Sequence, residues 1–122
     1  MTRKLSVLLV LVLFASGCAA SRSFRKGQEA VRVADWDAAV VYFTKAVQAN
    51  PDSSEYKINL RRAQEEAARM HVEKARELEK QDQPDMALTE YRRAIELVST
   101  DRVTRSKIAE LERTIRERLE AS

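Results

Sequence analysis

Two glycines, two prolines, one cysteine and one histidine are all that 122 residues contain of these types. So few chain breakers point to a soluble, mostly helical body of about one domain, too small for a large enzyme. Two isolated glycines exclude a glycine-rich loop that cradles phosphate. A single histidine, His71, leaves any metal site to carboxylates, and no dense acidic cluster supplies them; His71 reads as a helix-surface or inter-helix residue. Glu65 and Glu66 are adjacent, but neighbours on a helix point about 100° apart, so they form a solvated face rather than a working pair. No catalytic constellation, metal site or cofactor is expected. The one cysteine, Cys18, has no partner for an internal disulfide. The apolar run Leu5 to Ala15 is 11 residues, short of the roughly 20 that a spanning helix needs.

What is present begins with that run. Arg3 and Lys4 precede it and Ala15-Ser16-Gly17 close it, the three-part pattern of an export signal. A retained membrane anchor is the alternative. The junction Ala15-Ser16-Gly17-Cys18 resembles the lipobox of bacterial lipoproteins, with Ala15 where leucine is more usual. The resemblance implies cleavage between Gly17 and Cys18, a diacylglycerol on the Cys18 sulfur and acylation of the new amino group. An ordinary signal peptide cut near Ala19-Ala20 would instead give Cys18 no role, while an exported chain that kept the cysteine unmodified would carry an unpaired thiol into an oxidising compartment. Several acyl chains hold a protein stably on a bilayer where one does so only marginally. Ala19, where aspartate would signal retention at the inner membrane, implies an outer-membrane lipoprotein facing the periplasm. Removing Arg3 and Lys4 takes the basic count from 22 to 20 against 19 acidic residues. A net charge so near zero gives no reason to expect nucleic acid.

Beyond Cys18 an apolar pattern occurs twice. Ala39, Val40, Phe43, Ala46 and Val47 trace one helical face after Asp37, and Ala87, Leu88, Tyr91, Ala94 and Ile95 repeat it 48 residues later after Asp85. Val72, Lys74, Ala75 and Leu78 stand in the same register with Phe24, Lys26, Gly27 and Ala30. Asp35 is a candidate cap for the second helix, and Pro51 ends it, since a proline turns the preceding residue away from helix. Both units resemble the tetratricopeptide repeat. The resemblance assigns a repeat core of Gly27, Ala39, Phe43, Ala46 and Pro51 in the first unit and Ala75, Ala87, Tyr91 and Ala94 in the second, with small Gly27 and Ala75 at the helix crossings. The second unit has Ser99 where Pro51 would fall and carries Pro84 in its turn, a place where proline suits the start of a helix.

A spacing of 48 exceeds the usual repeat of about 34. The surplus falls in "SEYKINLRRAQEEAARM", where Tyr56, Leu60, Ala63, Ala67 and Met70 follow a coiled-coil seam. One helix from about Ser53 to about Lys80, roughly 42 Å long, is the simplest reading, with Asp52 and Glu55 as a capping-box-like start. After Ser99-Thr100-Asp101, Ile108, Leu111, Ile115 and Leu119 mark a fifth amphipathic helix. The expected fold class is therefore all-α, tetratricopeptide-like hairpins of about five helices. The expected order is a signal peptide (1–17), a lipidated linker (18–22), the repeat domain (23–98) and the amphipathic helix (99–122).

The repeat family binds extended peptides along its first helices. In this chain that implies a partner-binding groove of Phe24, Gln28, Val31, Arg69, Val72 and Arg76, without the ordered Lys and Asn set that clamps a carboxylate. Phe43 and Tyr91 belong to the core and Trp36 to the inter-helix turn, which leaves Tyr42 and Tyr56 as the aromatics for a partner-facing surface. Arg22, Arg25 and Lys26 follow the lipid site closely; anionic headgroups are one partner for them and water the simpler one. The lipobox, "DWDAAVVYFTKAVQANPDSSEYK" and the long helix together look like the N-terminal segment of secretin-type outer-membrane proteins of the type II secretion and type IV pilus kind. The implied function is a lipid-anchored adaptor whose partners are secretin or pilus and secretion proteins. It would act either as a module of a secretin or as a free-standing lipoprotein like the repeat-containing pilotins. The alternative is a self-associating stalk, a homo-oligomer joined through its coiled-coil seams.

Overall fold

The structure, a computed structural model, describes residues 2–122, the side chains of Thr2, Arg3, Leu5 and residues 11–16 excepted. Every element in it is α-helical: α1 (Thr2–Arg32), α2 (Trp36–Ala49), α3 (Ser54–Lys80), α4 (Pro84–Leu97) and α5 (Arg102–Ala121). The chain forms two compact units, Met1–Ala63 and Gln64–Ser122, and α3 contributes to both.

In the first unit α1 and α2 form a hairpin whose turn is closed by backbone hydrogen bonds. Asp35 N–H donates to Ala30 O at 2.9 Å and Ala34 N–H to Val31 O at 3.0 Å, with Ala34 left-handed at φ 56°. This is the reverse turn that ends a helix and satisfies its last carbonyls. Asp35 then starts α2, its carboxylate accepting the Ala38 N–H at 3.1 Å, so one residue ends one helix and caps the next. Phe24, Ala30, Ala39, Phe43, Ala46 and Ala63 make the core, with Val31, Tyr56 and Leu60 packed against it.

The second unit repeats that turn 48 residues on. Gln83 N–H donates to Leu78 O at 2.9 Å, Asp82 N–H to Glu79 O at 3.0 Å, and Asp82 is left-handed at φ 56°. Gln83 supplies no side-chain cap, and Pro84 occupies the first helical turn, where its missing N–H is not needed. Ala75, Leu78, Ala87, Leu88, Tyr91 and Leu111 form this core, with Val72, Ile108 and Ile115 packed on it. α5 begins at Asp101, whose carboxylate accepts both the N–H and the hydroxyl of Thr104; those two bonds hold the Asp101 pKa below its ordinary value.

Four expectations need correction. The stretch 18–22 is not a separate linker: α1 runs unbroken through it, and Ala20 is already 1% exposed. No proline or glycine pair interrupts the sequence there, and a lone Gly17 does not stop a helix. α3 is capped by Ser53, whose hydroxyl accepts the Tyr56 N–H at 3.3 Å, one residue later than the Asp52 start. Pro51, assigned to the repeat core, is exposed in the turn after α2 and fills no core, and only its expected part in ending the helix stands. Tyr56 is not a free surface aromatic, because its ring stacks on Phe24 at 4.6 Å between centroids.

Candidate functional site

Gly17 and Cys18 are exposed on α1, while the Ala15 and Ser16 side chains lie outside the described residues. Cys18 is followed within one helical turn by the buried Ala20, and the Ser21 hydroxyl donates to the Cys18 carbonyl at 3.2 Å. On its other side Val7, Leu8, Leu9 and Val10 are exposed. Among the described residues no helix is long and apolar enough to cross a membrane. A lone exposed thiol therefore stands on α1 between the exposed apolar side chains of Val7 to Val10 and the buried Ala20.

The groove residues divide between the two units. In the first, Gln28 and Val31 line a hollow of about 440 Å³ together with Arg32, Phe43 and Asn59. Phe24, expected beside them, is 9% exposed and lies in the core, its ring 5.5 Å from that of Phe43 and stacked on Tyr56. Beneath this wall Gly27 is pressed against Phe43: a methyl group at Gly27 would sit 2.5 Å from two of its ring carbons.

In the second unit Val72 and Arg76 line another hollow of about 440 Å³, with Glu79 and Tyr91 on one side and Val103, Thr104, Ser106, Lys107 and Glu110 on the other. Its wall is a charged network. The Tyr91 hydroxyl donates to Glu79 at 2.6 Å, and Lys107 lies 2.9 Å from the same carboxylate and 3.3 Å from Glu110. Burial, then the bond to the Glu79 carboxylate, pushes the Tyr91 pKa up to about 12. Burial acts to raise the Glu79 pKa, but the bonds from Tyr91 and Lys107 outweigh it and the net shift is downward. Lys107 is raised in return, chiefly by its bond to Glu79. Arg69 lines neither hollow; it is exposed and ion-paired with Glu66 at 2.8 Å.

His71 is an inter-helix residue. It and Glu90 are each 5% exposed, with Nδ1 2.6 Å from the Glu90 carboxylate. Lys74 at 3.1 Å and Arg93 at 3.2 Å share the other carboxylate oxygen. Burial works to raise the Glu90 pKa, and the bonds from His71 and Lys74 with the nearby positive charges bring it below the ordinary value. Among the described residues no group of His, Cys, Asp and Glu is placed to hold a metal ion. Neither Glu79 nor Glu90 stood out in the sequence, because each looks like one more charge on a charged helix. The available signal was position: Glu90 precedes the core Tyr91, and Glu79 follows the core Leu78.

The two hairpins with the same turn, a small residue at each crossing and a fifth helix packed on the second core define an all-α, tetratricopeptide-like fold. No family model matches the chain, and no curated protein matches it. Among solved structures, the TPR domain of Arabidopsis OM64 is similar at a TM-score of 0.38 and 16% identity, over 81% of this chain and 98% of that one.

Proposed function

We propose that the chain is a lipid-anchored adaptor of the bacterial envelope, cut before Cys18, acylated there, and held at the outer membrane facing the periplasm. The observation that carries this reading is the position of Cys18: an exposed lone thiol on α1 after the exposed Val7 to Val10 and just before the buried Ala20. Its work is protein contact through the hairpins, with Gln28 and Val31 in one unit and Val72 and Arg76 in the other as the partner-facing residues. The resemblance to secretin N-terminal segments makes secretin, secretion or pilus components the partners to look for.

The rival reading, a self-associating stalk, needs its apolar seams free to meet other copies. Much of each seam is engaged within its own unit: Leu60 and Ala63 belong with the first core, and Ile108, Leu111 and Ile115 with the second. That supports the adaptor.

The test is in-cell crosslinking with membrane fractionation and mass-spectrometric identification of partners, on wild type and Cys18→Ser. The adaptor reading expects wild type in the outer membrane, crosslinked to secretion-ring or pilus components, and both lost in Cys18→Ser. Crosslinks to copies of itself alone would give the stalk reading its place.

A further inference from the structure

We propose that Arg22 and Arg25 of α1, with Lys26 and Lys45 beside the Tyr42 ring, form a docking face for anionic phospholipid headgroups. The proposal rests on the membrane attachment at Cys18 and gives the first unit a second contact with the same bilayer.

The sequence from Cys18 to Gln28 carries three basic residues and no acidic one. At about 100° per residue, Arg22 points within about 40° of Cys18 and Arg25 within about 20°. At 1.5 Å per residue they lie roughly 6 and 11 Å further along the axis. All three are exposed, and α1 stays helical from Cys18 onward, so their distance from the anchor is set by a rigid rod. α2 completes the face: the ammonium groups of Lys26 and Lys45 each lie 5.7 Å from the centre of the Tyr42 ring. That ring attracts both cations and keeps them on one patch.

The second unit shows what such residues do when the fold has acids for them. Lys74 and Arg93 are bound to Glu90, Lys107 to Glu79 and Glu110, Arg92 to Glu112 and Arg118 to Asp82. None of Arg22, Arg25, Lys26 and Lys45 has an ion pair among the described residues. The next acid along α1 is Glu29, one turn after Arg25 and Lys26 and ion-paired with neither among the described residues, and the acid of α2 is Asp37 in its first turn, eight residues before Lys45. Four exposed positive charges with no ion pair among the described residues, Arg22 and Arg25 of them roughly 6 and 11 Å along the helix from the proposed lipid site, complement a layer of phosphodiesters.

The chain purified from membranes, as cells process it, is incorporated into neutral phosphatidylcholine vesicles or into vesicles containing phosphatidylglycerol. An amine-specific reagent then labels the lysines, and mass spectrometry gives the rates at Lys26 and Lys45 relative to the exposed Lys80. The expected result is labelling at least about threefold slower on anionic vesicles, somewhat less than the roughly fivefold that one basic group gains near such a surface. High salt should close the gap, and so should the double change Arg22→Gln and Arg25→Gln, which removes two charges and sets no new acid one helical turn from Lys26. Equal rates on both vesicle types overturn the proposal and leave the patch to an acidic protein or to water. A gap that persists in high salt or in the arginine variant overturns it too, since charge would then not be its cause. Flotation with neutral vesicles is read separately. A chain left behind refutes the anchor, while the labelling comparison on anionic vesicles still decides the patch.

Discussion

Gly27→Ala isolates the contact on which the first hairpin closes. An added methyl would lie 2.5 Å from Cδ1 and Cε1 of Phe43 and 3.0 Å from Cζ, where carbon atoms rest at about 3.5–4.0 Å. The ring would have to withdraw by about 1 Å, yet it is 1% exposed and sits against Phe24. Overpacking of this kind costs about 1–3 kcal/mol. Replacing glycine by alanine inside a helix returns about 1 kcal/mol. The expected net loss is therefore about 0–2 kcal/mol, a fall in Tm of up to roughly 8 °C by circular dichroism for a chain of this size. Made together with Phe43→Leu, which removes the obstructing ring, Gly27→Ala should be neutral or stabilising relative to Phe43→Leu alone. The reverse change in the other unit, Ala75→Gly, should destabilise by about 1.5–2 kcal/mol, because it loses both helix propensity and a buried methyl. A Tm raised by Gly27→Ala in the wild-type background, or an equal fall with and without Phe43→Leu, would refute the reasoning.

Ala34 holds a left-handed backbone at φ 56°, which costs a residue with a Cβ about 1–2 kcal/mol; Ala34→Gly should raise Tm by a few degrees after the entropy of glycine is subtracted. Glu90→Ala takes a buried carboxylate from His71, Lys74 and Arg93, and urea unfolding should record a loss of about 2–3 kcal/mol, below the full value for a buried pair because the Lys74 and Arg93 side chains are half exposed. Tyr91→Phe deletes the hydroxyl bond to Glu79 and should cost about 1–2 kcal/mol; an unchanged denaturation midpoint would mean that bond contributes nothing. Glu79 and Glu90 both titrate below the ordinary 4.5 when folded. The stability they add is thus fully present above that value and is lost as pH falls through the lowered values. Melting temperatures taken from pH 6 down to 3 should fall across the lower part of that range, less steeply in Glu90→Gln.

Much of the fold was legible because apolar residues recur at helical spacing and the chain has few breakers. The long helix expected from about Ser53 to Lys80 is observed from Ser54 to Lys80, and Asp35 and Asp101 cap the helices they precede. The 48-residue spacing extends even to the left-handed turn residue, Ala34 in one unit and Asp82 in the other. The errors share a cause. Reading 18–22 as a linker relied on what the export machinery would do with the chain, whereas nothing in its local chemistry interrupts the helix there. Tyr56 opens the seam of α3, yet its ring turns to stack on Phe24, a choice made by a neighbour on another helix. Glu79 and Glu90 follow the same logic: a carboxylate is recognisable as interior only once the hydroxyl, lysines and histidine that satisfy it are in place.

The unbroken course of α1 has an electrostatic consequence for processing at Cys18. Under the proposed cleavage, a residue in mid-helix becomes the first residue of a helix, and the N–H groups of its first turn lose the carbonyls of the removed segment. A free amino terminus would then place a positive charge at the positive end of the helix dipole, an arrangement that costs about 0.3–1 kcal/mol and loosens the first turn. Acylating that amine removes the charge. The same reaction that adds a fatty chain would thus also calm the new end of the helix, just two residues before Ala20 enters the core.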